Sequence, residues 1–226
     1  MDKPVCFFDV NETLLDLSEL RGSLKKNGGF SDETVSRWFT TLLHYSLVMT
    51  AGGRYADFGD IGAETLRMVA EEQGIKLSEA EAKEWLKPIR SLSPHADVQE
   101  GLAGLKKNGY RLVALTNGGR ETLESQMGYA GLTASFDALL SVEGVEKFKP
   151  NREVYAWAAE QAGVGAAQCL MVAAHPWDIA GAAWAGWHTC YVQRSKTRPY
   201  GLAGAPDITV ETLLELPDGL RALSRA

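Results

Sequence analysis

Short, continuously apolar runs alternate along this chain with longer segments whose apolar positions recur every three or four residues. The runs are Val5-Cys6-Phe7-Phe8, Arg111 to Leu115, Ala138 to Val142, Cys169 to Ala173 and Thr189 to Val192. Runs of this length with almost no polar break suit parallel strands covered on both faces. Between them fall Asp97 to Lys107, Glu121 to Ala130, Arg152 to Ala162 and Trp177 to Ala185, each followed directly or one residue later by a glycine. Glycine just past the last periodic residue is a helix stop. Strand and helix in strict alternation predict an α/β fold built on a Rossmann-like, doubly wound parallel sheet.

Residues 15–96 break the alternation. Val35, Trp38, Phe39, Leu42, Leu43, Tyr45 and Ser46 make one broad apolar stripe, predicting a helix from Asp32 to Thr50 that Gly52-Gly53 stops. A second helix is expected from about Ile61 to Gln73, and a third from Ser78 to Pro88. Ser78 is the N-cap of the third, and Glu81 is placed for a capping box. No strand pattern appears here. The expected organisation is therefore a core from residues 1–14 and 97–226 and an all-helical insertion, a cap, from 15–96, with Pro88 to Pro94 as the return linker.

Composition adds exclusions. The chain has 226 residues, 45% hydrophobic and 23% charged, with a formal net charge of -6. That is ordinary globular composition, and the acidic balance argues against nucleic acid or an anionic membrane as partner. No apolar stretch approaches the ~20 residues that cross a bilayer, and the first residues lack a signal-peptide pattern, so a soluble, cytoplasmic protein is expected. Cys6, Cys169 and Cys190 lie in apolar runs with no CxxC spacing, which reads as three small buried hydrophobes rather than disulfides or a zinc site.

In an open α/β sheet, ligands gather at the carboxyl ends of the strands. The residues there are Asp9 to Thr13, Thr116-Asn117-Gly118-Gly119, Lys149-Pro150 and Ala174 to Asp178. Four distant loops thus bring an acid, hydroxyl and amide groups, a lysine and a second acid to one edge. Asp9 can attack an electrophilic carbon or phosphorus to give an ester that water then opens. Lys149 can hold it ionised. Thr13, Thr116 and Asn117 can hydrogen-bond Asp9 or a bound ligand, and Asp178 can orient Lys149 or serve as a base toward water. An imidazole at His175 can bind an anion when protonated, act as a base, or simply pack. Tyr155 can steady Lys149 or pack. Trp177, Trp184 and Trp187 read most simply as packing residues.

These motifs resemble the haloacid dehalogenase superfamily. Asp9-Val10-Asn11-Glu12-Thr13 is similar to its first motif, Thr116-Asn117 to its second, Lys149-Pro150 to its third and Trp177-Asp178-Ile179-Ala180-Gly181-Ala182 to its fourth, with the helical insertion where that family carries a C1 cap. Within it, Asn117-Gly118, Phe148-Lys149-Pro150 with Arg152, Val154 and Tyr155, and Trp177-Asp178 are most similar to the type II L-2-haloacid dehalogenases. The resemblance implies halide displacement at Cα through an aspartyl ester and hydrolysis to a 2-hydroxy acid. Asp9, Lys149, Asp178 and Thr13 would be catalytic, with Thr116, Asn117, Asn11, His175 and Tyr155 around a small carboxylate substrate. It implies no cofactor and is compatible with a homodimer.

The pattern also departs from the family. Its phosphatases carry an acid two residues after the nucleophile, where this chain has Asn11, and another where it has Ala174. Both point away from a phosphatase using Mg²⁺, which remains the alternative together with a degenerate binding protein. The dehalogenases carry an aromatic residue and then Gly at positions 11 and 12, where this chain has Asn11 and Glu12, and a cap arginine where it has Phe39. Arg37 or Arg54 could replace that arginine. Glu12 beside a nucleophile would raise its pKa, so its side chain is expected to turn away.

Overall fold

The first apolar run, Val5–Phe8, is a fully buried strand, β1, in a computed structural model that describes residues 3–224. Five further strands follow: β2 (Leu112–Thr116), β3 (Ala138–Ser141), β4 (Cys169–Ala173), β5 (His188–Val192) and β6 (Ile208–Val210). They form one sheet in the order β3-β2-β1-β4-β5-β6, with every neighbouring pair parallel. β1 to β3 step one way across the sheet and β4 to β6 the other. The reversal opens a crevice over the carboxyl ends of β1 and β4. The backbone N–H of Asp9 donates to Val172 at 3.1 Å, which carries the β1–β4 ladder one residue past the strand. Asp9 is thereby held rigidly at the mouth of the crevice.

The helices of the sheet layer are α5 (Val98–Lys107), α6 (Arg120–Tyr129), α7 (Arg152–Ala162), α8 (Pro176–Trp184) and α9 (Leu216–Leu223). Those between β1 and β2, ahead of α5, are α1 (Ser18–Gly28), α2 (Asp32–Ala51), α3 (Phe58–Glu72) and α4 (Glu79–Leu86). Local chemistry sets several ends. Ser31 accepts from the Thr34 N–H at the start of α2, the Ser78–Glu81 capping box starts α4, and Gly163 at φ 68° closes α7. Side chains at i, i+3 and i+7 of α2 (Val35, Trp38, Leu42) turn inward, and all three cysteines are buried.

Three elements went unforeseen. α1 buries only Leu20 and Leu24, too few positions to print a helical stripe. β6 has three residues with the middle one exposed, and α9 packs beside it at the sheet edge. α3 starts earlier than its apolar pattern, because Asp57 caps it by accepting the Gly59 N–H. Trp184 is 58% exposed rather than packed. No helix among the described residues is long and apolar enough to cross a membrane.

Candidate active site

Asp9 is 5% exposed and its two carboxylate oxygens face different neighbours. Oδ1 accepts from Lys149 Nζ at 3.0 Å. Oδ2 accepts from the Thr13 hydroxyl at 2.7 Å and lies 2.9 Å from His175 Nδ1. Burial alone would favour the neutral acid, but the charge of Lys149 and the bonds from His175 and Thr13 outweigh it. They hold the carboxyl far below its ordinary range.

Lys149 has no exposed side-chain surface. Its three ammonium protons find three acceptors: Asp9, Asp178 Oδ2 at 2.6 Å and the Leu115 carbonyl at 2.9 Å. Burial opposes its charge, and the carboxylates of Asp178 and Asp9 more than restore it. The other oxygen of Asp178 accepts from the Tyr155 hydroxyl at 2.7 Å. Tyr155 therefore steadies the lysine's partner, and Asp178, with both oxygens engaged and none of its side chain exposed, orients the lysine. Burial pushes the Asp178 carboxyl above its usual value.

His175 belongs to the site. Its Nε2 lies 3.0 Å from Glu12 Oε2, and its ring is stacked against Phe39 and against Trp177, at centroid separations of 6.1 and 5.0 Å. Burial works against an imidazolium here, but the hydrogen bonds and charges of Asp9 and Glu12 raise its pKa to about 10. Glu12 does turn from Asp9, yet it stays in the site, held by His175 and by Arg21. The backbone at Glu12 is left-handed, φ 61°. That conformation costs a non-glycine residue about 1–2 kcal/mol and explains why a glycine there is the easier choice.

The remaining candidates divide. Asn117 Oδ1 accepts the Lys149 N–H at 2.9 Å, while its buried Nδ2 has no partner among the described residues. Thr116 accepts the Gly118 N–H at 3.1 Å and is buried beside the site, without the bond to Asp9 that Thr13 makes. Asn11 is tied by its Oδ1 to Gln126. Arg37 pairs with Glu72 on the surface and Arg54 is exposed. The arginines that do line a cavity of about 520 Å³ beside His175 and Phe39 are Arg21 and Arg194, with His95 beside them, its imidazole held below the usual histidine range by burial and by Arg194. Trp177, read from sequence as packing, lies 5.8 Å below Lys149 Nζ. Glu12, a departure from the family pattern, and His175, a candidate with several possible roles, were the sequence signals for this second network; taken singly neither showed that the two are joined.

A magnesium ion does not suit this donor set. Both oxygens of Asp9 already face cationic groups, and Asn11 Oδ1 is committed to Gln126. No three His, Cys, Asp or Glu side chains among the described residues are grouped to hold a metal.

A family model for haloacid dehalogenase-like hydrolases matches residues 3–186. (S)-2-haloacid dehalogenase 1 of Pseudomonas sp. strain CBS-3 is 31% identical over 97% of this chain and 97% of its own length. Haloacetate dehalogenase H-2 of Moraxella sp. strain B is 27% identical over 91% of this chain and 92% of its own. The structure of L-2-haloacid dehalogenase from Xanthobacter autotrophicus with chloropropionic acid covalently bound superposes with a TM-score of 0.90, at 27% identity, over 98% of this chain and 100% of that one.

Proposed function

Since the chain belongs to the haloacid dehalogenase-like hydrolase family, we propose that it hydrolyses a small 2-halo acid, with Asp9 as nucleophile and no metal. The observation that carries this is the buried Asp9 carboxylate, pinned by Lys149 at 3.0 Å on one oxygen and met by His175 at 2.9 Å on the other, next to the cavity. Relatives over nearly the full length that carry this activity by name support the substrate class.

An Asp9 oxygen attacks the substrate Cα, the carbon–halogen bond breaks with its electron pair, and halide leaves with an aspartyl ester formed. Esterification removes the Asp9 charge that keeps His175 protonated. The imidazolium then releases its proton toward the cavity, while Glu12 retains the other ring N–H and fixes the tautomer. Neutral Nδ1 takes a proton from water, hydroxide adds to the ester carbonyl, and the tetrahedral adduct expels the 2-hydroxy acid, which recovers that proton from His175. The Asp9 acid so formed passes its proton to Nδ1 and restores the ion pair. The sum is halo acid plus water giving hydroxy acid, halide and a proton. Asp178 keeps to Lys149 throughout. The helices of 15–96 act as a cap, with Phe39 closing over His175.

Halide release from 2-chloropropionate with chelator present tests the activity. After turnover in ¹⁸O water, the Asp9 peptide gains the label. Active turnover with an unlabelled Asp9 overturns the ester route.

A further inference from the structure

Gln126, on α6, takes no part in these steps, yet it is 1% exposed. Its Nε2 donates to the Ile89 carbonyl at 2.7 Å and to Asn11 Oδ1 at 2.9 Å. A carbonyl oxygen only accepts, so the Gln126 atom facing Ile89 is the amide nitrogen. The second hydrogen on that nitrogen then needs an acceptor, and Asn11 has to present its oxygen. Ile89, in the segment returning from the helical insertion, thus dictates through Gln126 which way the Asn11 amide is turned. Asn11 Nδ2 is left facing away from Gln126. It has no partner among the described residues and is not sealed from solvent. It is an open donor two residues from Asp9, on the same loop, at the carboxyl edge of the sheet.

We propose that Asn11 Nδ2 donates to an anionic end of the substrate, and that Gln126 is the positioning residue keeping that donor, rather than the amide oxygen, turned toward it. This rests on the dehalogenase reading for its substrate. A 2-halo acid carries two such ends, the carboxylate and the departing halide. A neutral donor suits either, because Lys149 and His175 already supply the positive charge next to Asp9. Seating of the insertion, through the Ile89 carbonyl, and recognition of the anion are thereby linked.

Gln126→Glu tests this with little change of shape. A carboxylate only accepts, so Asn11 must swing its Nδ2 toward the new carboxylate and present Oδ1 to the anion. KM for 2-chloropropionate should rise about 10- to 100-fold, the scale of one hydrogen bond to a charged group, with kcat changed far less. Asn11→Ala should raise KM similarly, and Gln126→Glu in the Asn11→Ala background should add almost nothing. Binding titrations of the wild type and the Gln126→Glu variant with propionate, which lacks halide, and with bromide, which lacks a carboxylate, assign the end that is bound. If the Gln126→Glu variant does not fold, Gln126→Met in the same cycle reads the same coupling.

Additive effects of the two substitutions, an unchanged KM in Asn11→Ala, or a wild type that binds neither propionate nor bromide would overturn the proposal. Absent halide release from the wild type would instead sink the dehalogenase reading. The propionate and bromide titrations need no turnover and still decide the role of Gln126.

Discussion

The two sides of Asp9 are built on opposite plans. On the Oδ1 side, Lys149 and Asp178 have no exposed side-chain surface and every polar proton of the lysine is spoken for. On the Oδ2 side, exposure climbs outward, from 12% at His175 to 27% at Glu12 and 37% at Arg21. The first plan fixes a charge that outlasts the loss of the Asp9 charge, since Asp178 still pairs with the buried ammonium. The second holds a group whose charge depends on Asp9 itself and which has solvent beside it. On the proposed mechanism one side therefore prepares Asp9 as nucleophile, and the other responds once Asp9 has been esterified.

Lys149→Met breaks the sealed side and should have the largest effect. It leaves two buried carboxylates without their cation, so roughly 3–5 kcal/mol of stability should be lost, read by urea unfolding. Halide release should fall at least ~10³-fold, as for loss of a group poised on developing charge, and no ester should accumulate. A variant that retains near-native turnover would show that the sealed cation does not prepare Asp9.

His175→Asn sharpens the contrast from the other side. The ester should still form, but its hydrolysis should slow by about 10²–10⁴-fold, the range for a lost general base. Intact-protein mass spectrometry during turnover should then show Asp9 carrying the acid fragment, which Lys149→Met never shows. Equal failure of both variants before the ester would erase the division between the two sides.

Legibility in the sequence followed the same division. The sealed side was readable because each member stands at a fixed place after a strand: Asp9 after β1, Lys149 after β3, Asp178 after β4 in the first turn of α8. Strand ends are set by runs of apolar residues, so their loops can be placed without coordinates. The open side depends on how Glu12 turns in a left-handed backbone and on what α1 brings near it. α1 itself was invisible, because two buried leucines in eleven residues make no pattern. Gln126 was hidden for a related reason: a single buried amide on the inner face of a helix looks like any polar residue until its partners, 37 and 115 positions away in sequence, are known.

A smaller effect concerns pH. The folded-state pKa of His175 is raised, to about 10, above an unfolded value of about 6.5. The proton it holds therefore stabilises the fold fully below the unfolded value, and this contribution is lost as pH rises through the folded one. Wild type should thus lose stability between pH ~6.5 and ~10 relative to His175→Asn. Glu12→Gln should move the upper end of that window downward, since one of the two carboxylates that raise the pKa is gone. A pH-independent difference between wild type and His175→Asn would mean that the open side does not titrate.

The smallest expected effect separates the backbone of Glu12 from its carboxylate. Glu12→Gly and Glu12→Ala both remove the partner of His175 and the partly exposed pair with Arg21, a pair worth no more than about 1 kcal/mol. They differ in what they leave at φ 61°. Alanine retains the left-handed strain, whereas glycine relieves it, so the glycine variant should be the more stable by about 1 kcal/mol. Their kcat values should fall together, because each leaves the His175 tautomer without its anchor. If alanine equals or exceeds glycine in stability while kcat still drops, the backbone at this position is not held left-handed in solution. Glu12 would then reach His175 from an ordinary conformation, and the open side would carry no strain to set it apart from the sealed one.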